Sequence, residues 1–276
     1  MKKQIPSFMP HKASLATKSM RVPLLLAICF IPVGQAAAFG NGPDCAPGDF
    51  ACPMASVSFD GNFARYISLV ISGREGPATA FRGNGIAIGN DARAGENLVE
   101  INKSVGAQVA IGLHSRADGL SSVALGARTQ TSGTGAIALG RGSTSDGEGA
   151  SALGDESFAV GRWTLALGYR ATTGADHAVA IGQTSVSQTL GGIAIGSSAS
   201  VESMSEFGLA LGRRASVKDA GKNAVALGNE SIADRPNSVS VGAPGKPRQI
   251  TNVADGVDDS DVVTVGQLKK LGLWAE

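Results

Sequence analysis

Bulky side chains are scarce in this sequence, with 9 Phe, 2 Trp and 2 Tyr among 276 residues, and charged residues make up only 17%. So few rings cannot fill a close-packed globular interior of this length, which excludes an ordinary core of large residues. Cysteine is equally sparse: beyond Cys29 only Cys45 and Cys52 occur, and two cysteines alone make no metal site. The apolar run Val22 to Val33 is too short to span a bilayer, so no membrane-spanning segment is expected in the mature chain. What abounds is glycine, with 38 residues. Such a chain has to bury itself through regular backbone pairing and small residues.

The first 38 residues read as a secretion signal. Lys2, Lys3, Lys12, Lys18 and Arg21 precede the apolar run, and Ala36-Ala37-Ala38 supplies small residues for cleavage. Met20-Arg21 would open a signal of ordinary length, so the start is Met1 or Met20, and both export the same chain. Lipidation at Cys29 is disfavoured because Ile28 is too large for the preceding position. Residues 1–38 hold five of the 24 Lys and Arg and none of the 23 Asp and Glu, leaving a net charge of −4. A chain of that balance is not expected to bind nucleic acid. In the oxidising compartment it meets, Cys45 and Cys52 form a small disulfide loop, or stay as free thiols or an intermolecular bridge.

From residue 85 the chain repeats itself. A unit of apolar, Ala, apolar, Gly recurs as Ile86-Ala-Ile-Gly89, Val109-Ala-Ile-Gly112, Val123-Ala-Leu-Gly126 and Ile137-Ala-Leu-Gly140. Further copies end at Gly168, Gly182, Gly196, Gly212 and Gly228, with looser ones at Gly154, Gly161 and Gly242. From Gly112 to Gly196 the spacing is 14 residues, with Gly161 read as a half-period extra, and Gly196, Gly212 and Gly228 lie 16 apart. The third residue after each glycine is small, as at Ala92, Ser115, Thr129, Ser143, Ser157, Ala171, Ser185, Ala199, Ala215 and Ser231. Alternating large and small residues make a short strand with large side chains on one face. The glycine permits a turn that a Cβ would disfavour, and the small residue restarts an extended segment. Two strands and two turns per 14 residues make one coil of an all-β solenoid.

In this reading the two large aliphatics of each unit are buried, and the Ala between them faces outward, where another surface can approach. Exposed strand edges and apolar faces favour a closed oligomer over a lone chain. The 16-residue spacings, and the 23 residues between Gly89 and Gly112, are expected to be loops leaving the coil. Residues 39–84 form an N-terminal region in which Ser56–Phe59 and Tyr66–Ile71 could be strands capping the open end. At the other end, Ser260 or Asp261 is expected to cap a helix, with Val262, Val265, Leu268 and Leu271 at helical spacing.

These repeats resemble the heads of trimeric autotransporter adhesins of the YadA type, over residues 85–242. The resemblance strengthens at Ser240-Val-Gly-Ala-Pro-Gly-Lys-Pro-Arg-Gln-Ile-Thr-Asn-Val-Ala-Asp-Gly-Val257 and Asp261-Val-Val-Thr-Val-Gly-Gln-Leu268, which look like the neck leading to a coiled-coil stalk. It implies a left-handed parallel β-roll, trimerised through its small-residue faces, with a neck and stalk start over 243–271 and a tail at 272–276. In the neck, Ile250, Val253, Val257, Val262, Val265 and Leu268 would meet partner copies. The chain ends little more than one heptad on, without the long stalk or membrane anchor that the family implies. The resemblance further implies adhesion to a host extracellular-matrix protein, such as collagen, or to a cell surface. It places the protein at the cell surface or outer membrane, or in the medium where no anchor is supplied.

Chemistry beyond adhesion finds little support. Solenoid acyltransferases share the apolar-Gly-x-x-small pattern, but their six-residue period does not divide 14, and only His114 and His177 remain as candidate bases, both read as turn residues. Gly133-Thr-Gly135-Ala-Ile-Ala138 imitates a dinucleotide fingerprint without the helix that would bind phosphate. No enzyme activity, cofactor or metal is expected, and Asp255, Asp258, Asp259 and Asp261 read as solvated, helix-capping residues. Two features could carry recognition. Arg128, Arg141, Arg170, Arg213 and Arg214 follow the turn glycine by one or two places and could stack as a basic stripe, unless Asp91, Asp155, Glu156 and Glu230 dilute it. Phe158, Trp163 and Tyr169 gather around Gly161 in sequence, as local packing or as a ligand platform.

Overall fold

In a computed structural model, residues 37–39, 55–59, 67–71, 78–80, 85–95 and 106–274 are described. Cys45, Cys52 and the secretion signal up to residue 36 lie outside them.

The coil is visible between Gly126 and Gly140. Val123–Leu125 runs in one sheet, Gly126 opens a turn, Gln130–Thr131 runs in a second sheet, and a second turn leads to Ile137–Leu139 back in the first. Each strand lies parallel to its counterpart one coil on, so Val123, Ala124 and Leu125 pair with Ile137, Ala138 and Leu139. Backbone groups are satisfied between coils, as where Val123 N–H donates to Ala136 O at 2.9 Å and Gln130 N–H to Ser143 O at 2.9 Å. Repetition of this unit builds a 14-stranded sheet 1 and an 11-stranded sheet 2. Sheet 1 begins with Ala37–Phe39, Ala55–Phe59 and Ile67–Ile71, which pair antiparallel before the parallel stack starts at Ile86–Ile88.

The interior reverses the expected orientation of the repeat. Ala110, Ala124, Ala138, Ala152, Ala166 and Ala180 point inward with no exposure, and the Ile, Val and Leu beside them point out. Opposite them, sheet 2 contributes Ala117, Thr131, Ser145, Ala159, Thr173 and Ser187, all fully buried. The cause is width. A coil that turns every seven residues brings its two sheets close together, and the gap admits a methyl or hydroxyl from each side but not two branched chains. Toward the two ends of the stack the filling grows, with Val70 and Gln108 buried in the first described coils and Val201 and Val217 among buried alanines in the last ones.

Both turns of a coil share one construction. In the first, the glycine takes a positive φ, +134° at Gly168, and a Cβ there would stand 2.6 Å from the carbonyl oxygen of Gly182 in the next coil. The residue two places on is left-handed whatever its type, as at His114, Arg128, Glu156, Arg170 and Thr184. Where the small residue three places on is Ser or Thr, it has a role that its size alone did not reveal: its hydroxyl bonds back to the glycine carbonyl, as in Thr129 to Gly126 and Ser157 to Gly154, each at 2.9 Å.

The second turn repeats the left-handed residue and the hydroxyl bond seven residues later, without a positive φ at its glycine. Ser122 donates to Gly119 O at 2.8 Å and Thr164 to Gly161 O at 2.9 Å, with left-handed residues at Ser121 and Trp163. Gly161 is therefore no half-period extra; it occupies the second-turn place held by Gly119, Gly133 and Gly147 in the coils before it. The 16-residue spacings put their two extra residues in this second turn, between the strands Ser200–Val201 and Leu209–Leu211 and between Ser216–Val217 and Val225–Leu227. Of the longer loop after Gly89, residues 96–105 lie outside the described residues.

Candidate functional site

The outward side chains of sheet 1 form an extended apolar feature of the surface. Leu139, Leu153, Leu167, Ile181, Ile195, Leu211 and Leu227 are in direct register from coil to coil. Leu139 is 44% exposed and Leu167 41%, although each would contribute roughly 1.5–3 kcal/mol if fully covered. A parallel column, Val123, Ile137, Ser151, Leu165, Val179, Ile193, Leu209 and Val225, flanks it. A contiguous apolar face of this kind marks an interaction surface. Large side chains, not the small ones, form the sticky face.

The first-turn edge carries the arginines, but as a ladder of alternating charge. Arg141 reaches Asp155 at 2.8 Å and Glu156 at 3.3 Å, and Glu156 in turn accepts from Arg170 at 2.6 Å. The Asp155 hydrogen bond holds the Arg141 guanidinium above its ordinary pKa, and Glu156 does the same for Arg170. Arg213, Arg214 and Lys246 gather on Glu230 at 3.2, 3.4 and 3.1 Å. Lys246 is the largest cause that holds the Glu230 carboxyl below its usual range. Arg128 is exposed on the same edge. His114 sits here too, its Nδ1 3.3 Å from the Asp91 carboxylate, whereas His177 is in a second turn.

Phe158, Trp163 and Tyr169 do not cluster. Phe158 stands on the outer face of sheet 2, in line with Thr172, and Trp163 occupies a second turn with 58% exposure. The Trp163 ring covers Gly149 of the preceding coil, where a Cβ would overlap it. Tyr169 lies on the first-turn edge, with the Arg170 guanidinium 4.9 Å from its ring centre. Their nearness in sequence is spread by the coil over three faces.

After the last coil, Arg248 donates to the carbonyls of Val241 and Asn229 and so ties the departing chain to the stack. The neck helix, Val265–Lys270, starts at Thr264 rather than at Ser260 or Asp261. Thr264 accepts from Gln267 N–H at 3.2 Å, and the Gln267 side chain returns to Thr264 N at 3.0 Å, a reciprocal cap. Gln267 also holds Gly256 through both its backbone groups. Ile250, Val253, Val257, Val262 and Val265 are exposed, Val257 at 91%, and Leu268 is partly covered. One chain therefore gives the neck valines no apolar neighbourhood.

Two aspartates of the neck have definite tasks. Asp255 accepts from Thr264 at 2.6 Å and Lys270 at 3.1 Å. Asp261 accepts from the backbone of Val257 at 2.9 Å and Asp258 at 3.1 Å, which holds its carboxyl below the 3.8 of a free side chain. A lowered folded pKa adds stability that is complete above the unfolded value and fades as pH falls through the folded one. Amide-exchange protection at Val257 and Asp258 is thus expected to be complete above about pH 4 and to fall as the pH drops below it, and Asp261→Asn to flatten that dependence. An unchanged pH profile in the variant would show that another group holds this turn.

Comparison with known proteins follows the same division of the chain. A family model described as the YadA head domain repeat matches residues 109–129, 132–157, 164–185, 174–199 and 220–243, and one described as the coiled stalk of trimeric autotransporter adhesin matches 249–272. The chain is similar to the collagen-binding domain of the Yersinia adhesin YadA, with 30% sequence identity over 59% of this chain and 82% of that one and a TM-score of 0.48. No curated protein matches the chain. Among the described residues no helix is long and apolar enough to cross a membrane, and no group of three or more His, Cys, Asp or Glu could hold a metal ion.

Proposed function

This chain belongs to the YadA-type trimeric autotransporter adhesins, and we propose that it works as a homotrimeric head that grips a host extracellular-matrix protein or cell surface. The observation that carries the assembly is the in-register column from Leu139 to Leu227 on the outside of sheet 1. Three copies placed with these columns toward a common axis remove them from water. The neck continues the same logic, because Ile250, Val253, Val257 and Val262 are exposed in one chain and other copies would cover them. What stays outside is sheet 2 and the two turn edges, a surface of small polar residues and paired charges with exposed rings at Phe158, Trp163 and Phe207. Contacts on such a surface are individually weak, and three copies multiply them.

Collagen is the first matrix protein to test, since it is what the similar Yersinia domain is named for. The purified protein is expected to have three times the chain mass by light scattering and to bind immobilised collagen saturably. A trimer without saturable binding to matrix proteins or cells would support a structural spacer instead, and a stable monomer would remove the assembly itself.

A further inference from the structure

Where the last coils meet the start of the neck, a cavity of about 550 Å³ opens on the outer side of sheet 2. Its floor is Ser200, Ser216 and Ile232, which occupy one place in three successive coils. One wall is the turn Ala243-Pro-Gly-Lys246, whose ends form a backbone bridge and whose Gly245 has φ +73°. Arg214, Lys218 and Lys246 line the rim and come from three separate elements: a first turn, the residue after the strand Ser216–Val217, and the wall. Two carboxylates answer them. Glu230 takes Arg214 and Lys246, with Arg213 beside them, and Glu202 takes Lys218 at 2.7 Å. Four cations on two carboxylates leave a local surplus of positive charge in a chain that is net negative without its signal.

We propose that this cavity binds a sulfated saccharide, with a sulfate ester between Arg214, Lys218 and Lys246 and a sugar ring against Ile232 and Pro244. Three cations carried by three separate elements around one cavity suit a tetrahedral anion with oxygens on every side better than a planar carboxylate, whose two oxygens face one way. A floor of two hydroxyls beside Ile232, an apolar wall at Ala243 and Pro244, and a charged rim offer a sugar both hydrogen bonds and a flat apolar contact, and the volume lies within the usual range for a small-ligand site. The negative charge of the whole molecule gives no long-range pull on a polyanion, so recognition is local and short saccharides suffice. Every residue of the cavity comes from one chain, on the side opposite the apolar columns. The site therefore exists with or without the trimer and with or without a matrix-protein partner.

Calorimetric titration of the full protein with a heparin-derived tetrasaccharide is expected to show saturable binding at one site per chain. Lys218→Gln with Lys246→Gln should weaken it about tenfold or more, and should lower the slope of affinity against salt on logarithmic axes by about two. Glu230→Gln should strengthen binding, because it frees three cations from their competing carboxylate. This gain cannot arise from misfolding. Inorganic sulfate should compete weakly, whereas the desulfated tetrasaccharide and poly-glutamate should not bind. Equal binding of the desulfated sugar would overturn the role of sulfate, and preference for poly-glutamate would mean an acidic peptide site. Unchanged affinity in the lysine variant would place binding elsewhere.

Discussion

Gly168→Ala is expected to destabilise the protein by about 3 kcal/mol, read as a fall of roughly 6–12 °C in thermal midpoint. Two effects add. Alanine is strained at the φ of +134° that Gly168 adopts, and its methyl would meet the Gly182 carbonyl, which cannot retreat because that backbone is fixed in the next coil. The matched control is Thr184→Gly. Thr184 has φ 52° in the left-handed region, where a non-glycine residue is tolerated, so this change should stay within about 1 kcal/mol of the native protein. If the two substitutions proved equally mild, the glycine column would not be the close contact between coils that the geometry indicates.

Leu139→Asp combined with Leu167→Asp is expected to convert the proposed trimer into a monomer that keeps its β-sheet signal. Both side chains stand outside sheet 1 and touch no interior position, so the coil does not need them, whereas an apolar seam does not tolerate unpaired carboxylates. Ala152→Leu tests the converse. Ala152 is fully buried in a gap sized for methyl groups, and overpacking should cost about 1–3 kcal/mol or more before any effect on assembly. Light scattering and circular dichroism together separate the two outcomes. A trimer that survived both aspartates would move the interface to another face.

The repeat, its turn glycines and the small residue after them were legible because each answers a constraint that one residue type meets best. The direction of the strand was not. Alternation divides Val123, Ala124 and Leu125 between two faces but does not say which is inside, and the rule that large apolar residues are buried fails where the interior is only one methyl deep. The second turn was half hidden for a related reason. Its glycine is present at Gly119, Gly133, Gly147 and Gly161 but replaced by Ala175 and Thr189 in the next coils, so the second turn shows no unbroken glycine column in the sequence. The arginine edge depended on pairing across coils, which brings Glu156 to Arg170 over 14 residues of sequence. The cavity at the neck was invisible because Lys218 and Lys246 are brought together by a turn whose path the repeat does not specify.

Parallel pairing in register has one more consequence, for how such a protein can change over generations. Each coil meets only the coil before and the coil after, and equivalent residues meet each other, as Leu153 meets Leu139 and Leu167. A genetic exchange that removes or duplicates one whole coil therefore leaves every junction with familiar neighbours, while the stack shortens or grows by about 4.8 Å. Changes of other lengths are accommodated in a turn, as where the two-residue additions sit between Val201 and Leu209 and between Val217 and Val225. The distance this head spans is thus inherited in discrete steps, and its reach can be reset by recombination without a single new contact being invented.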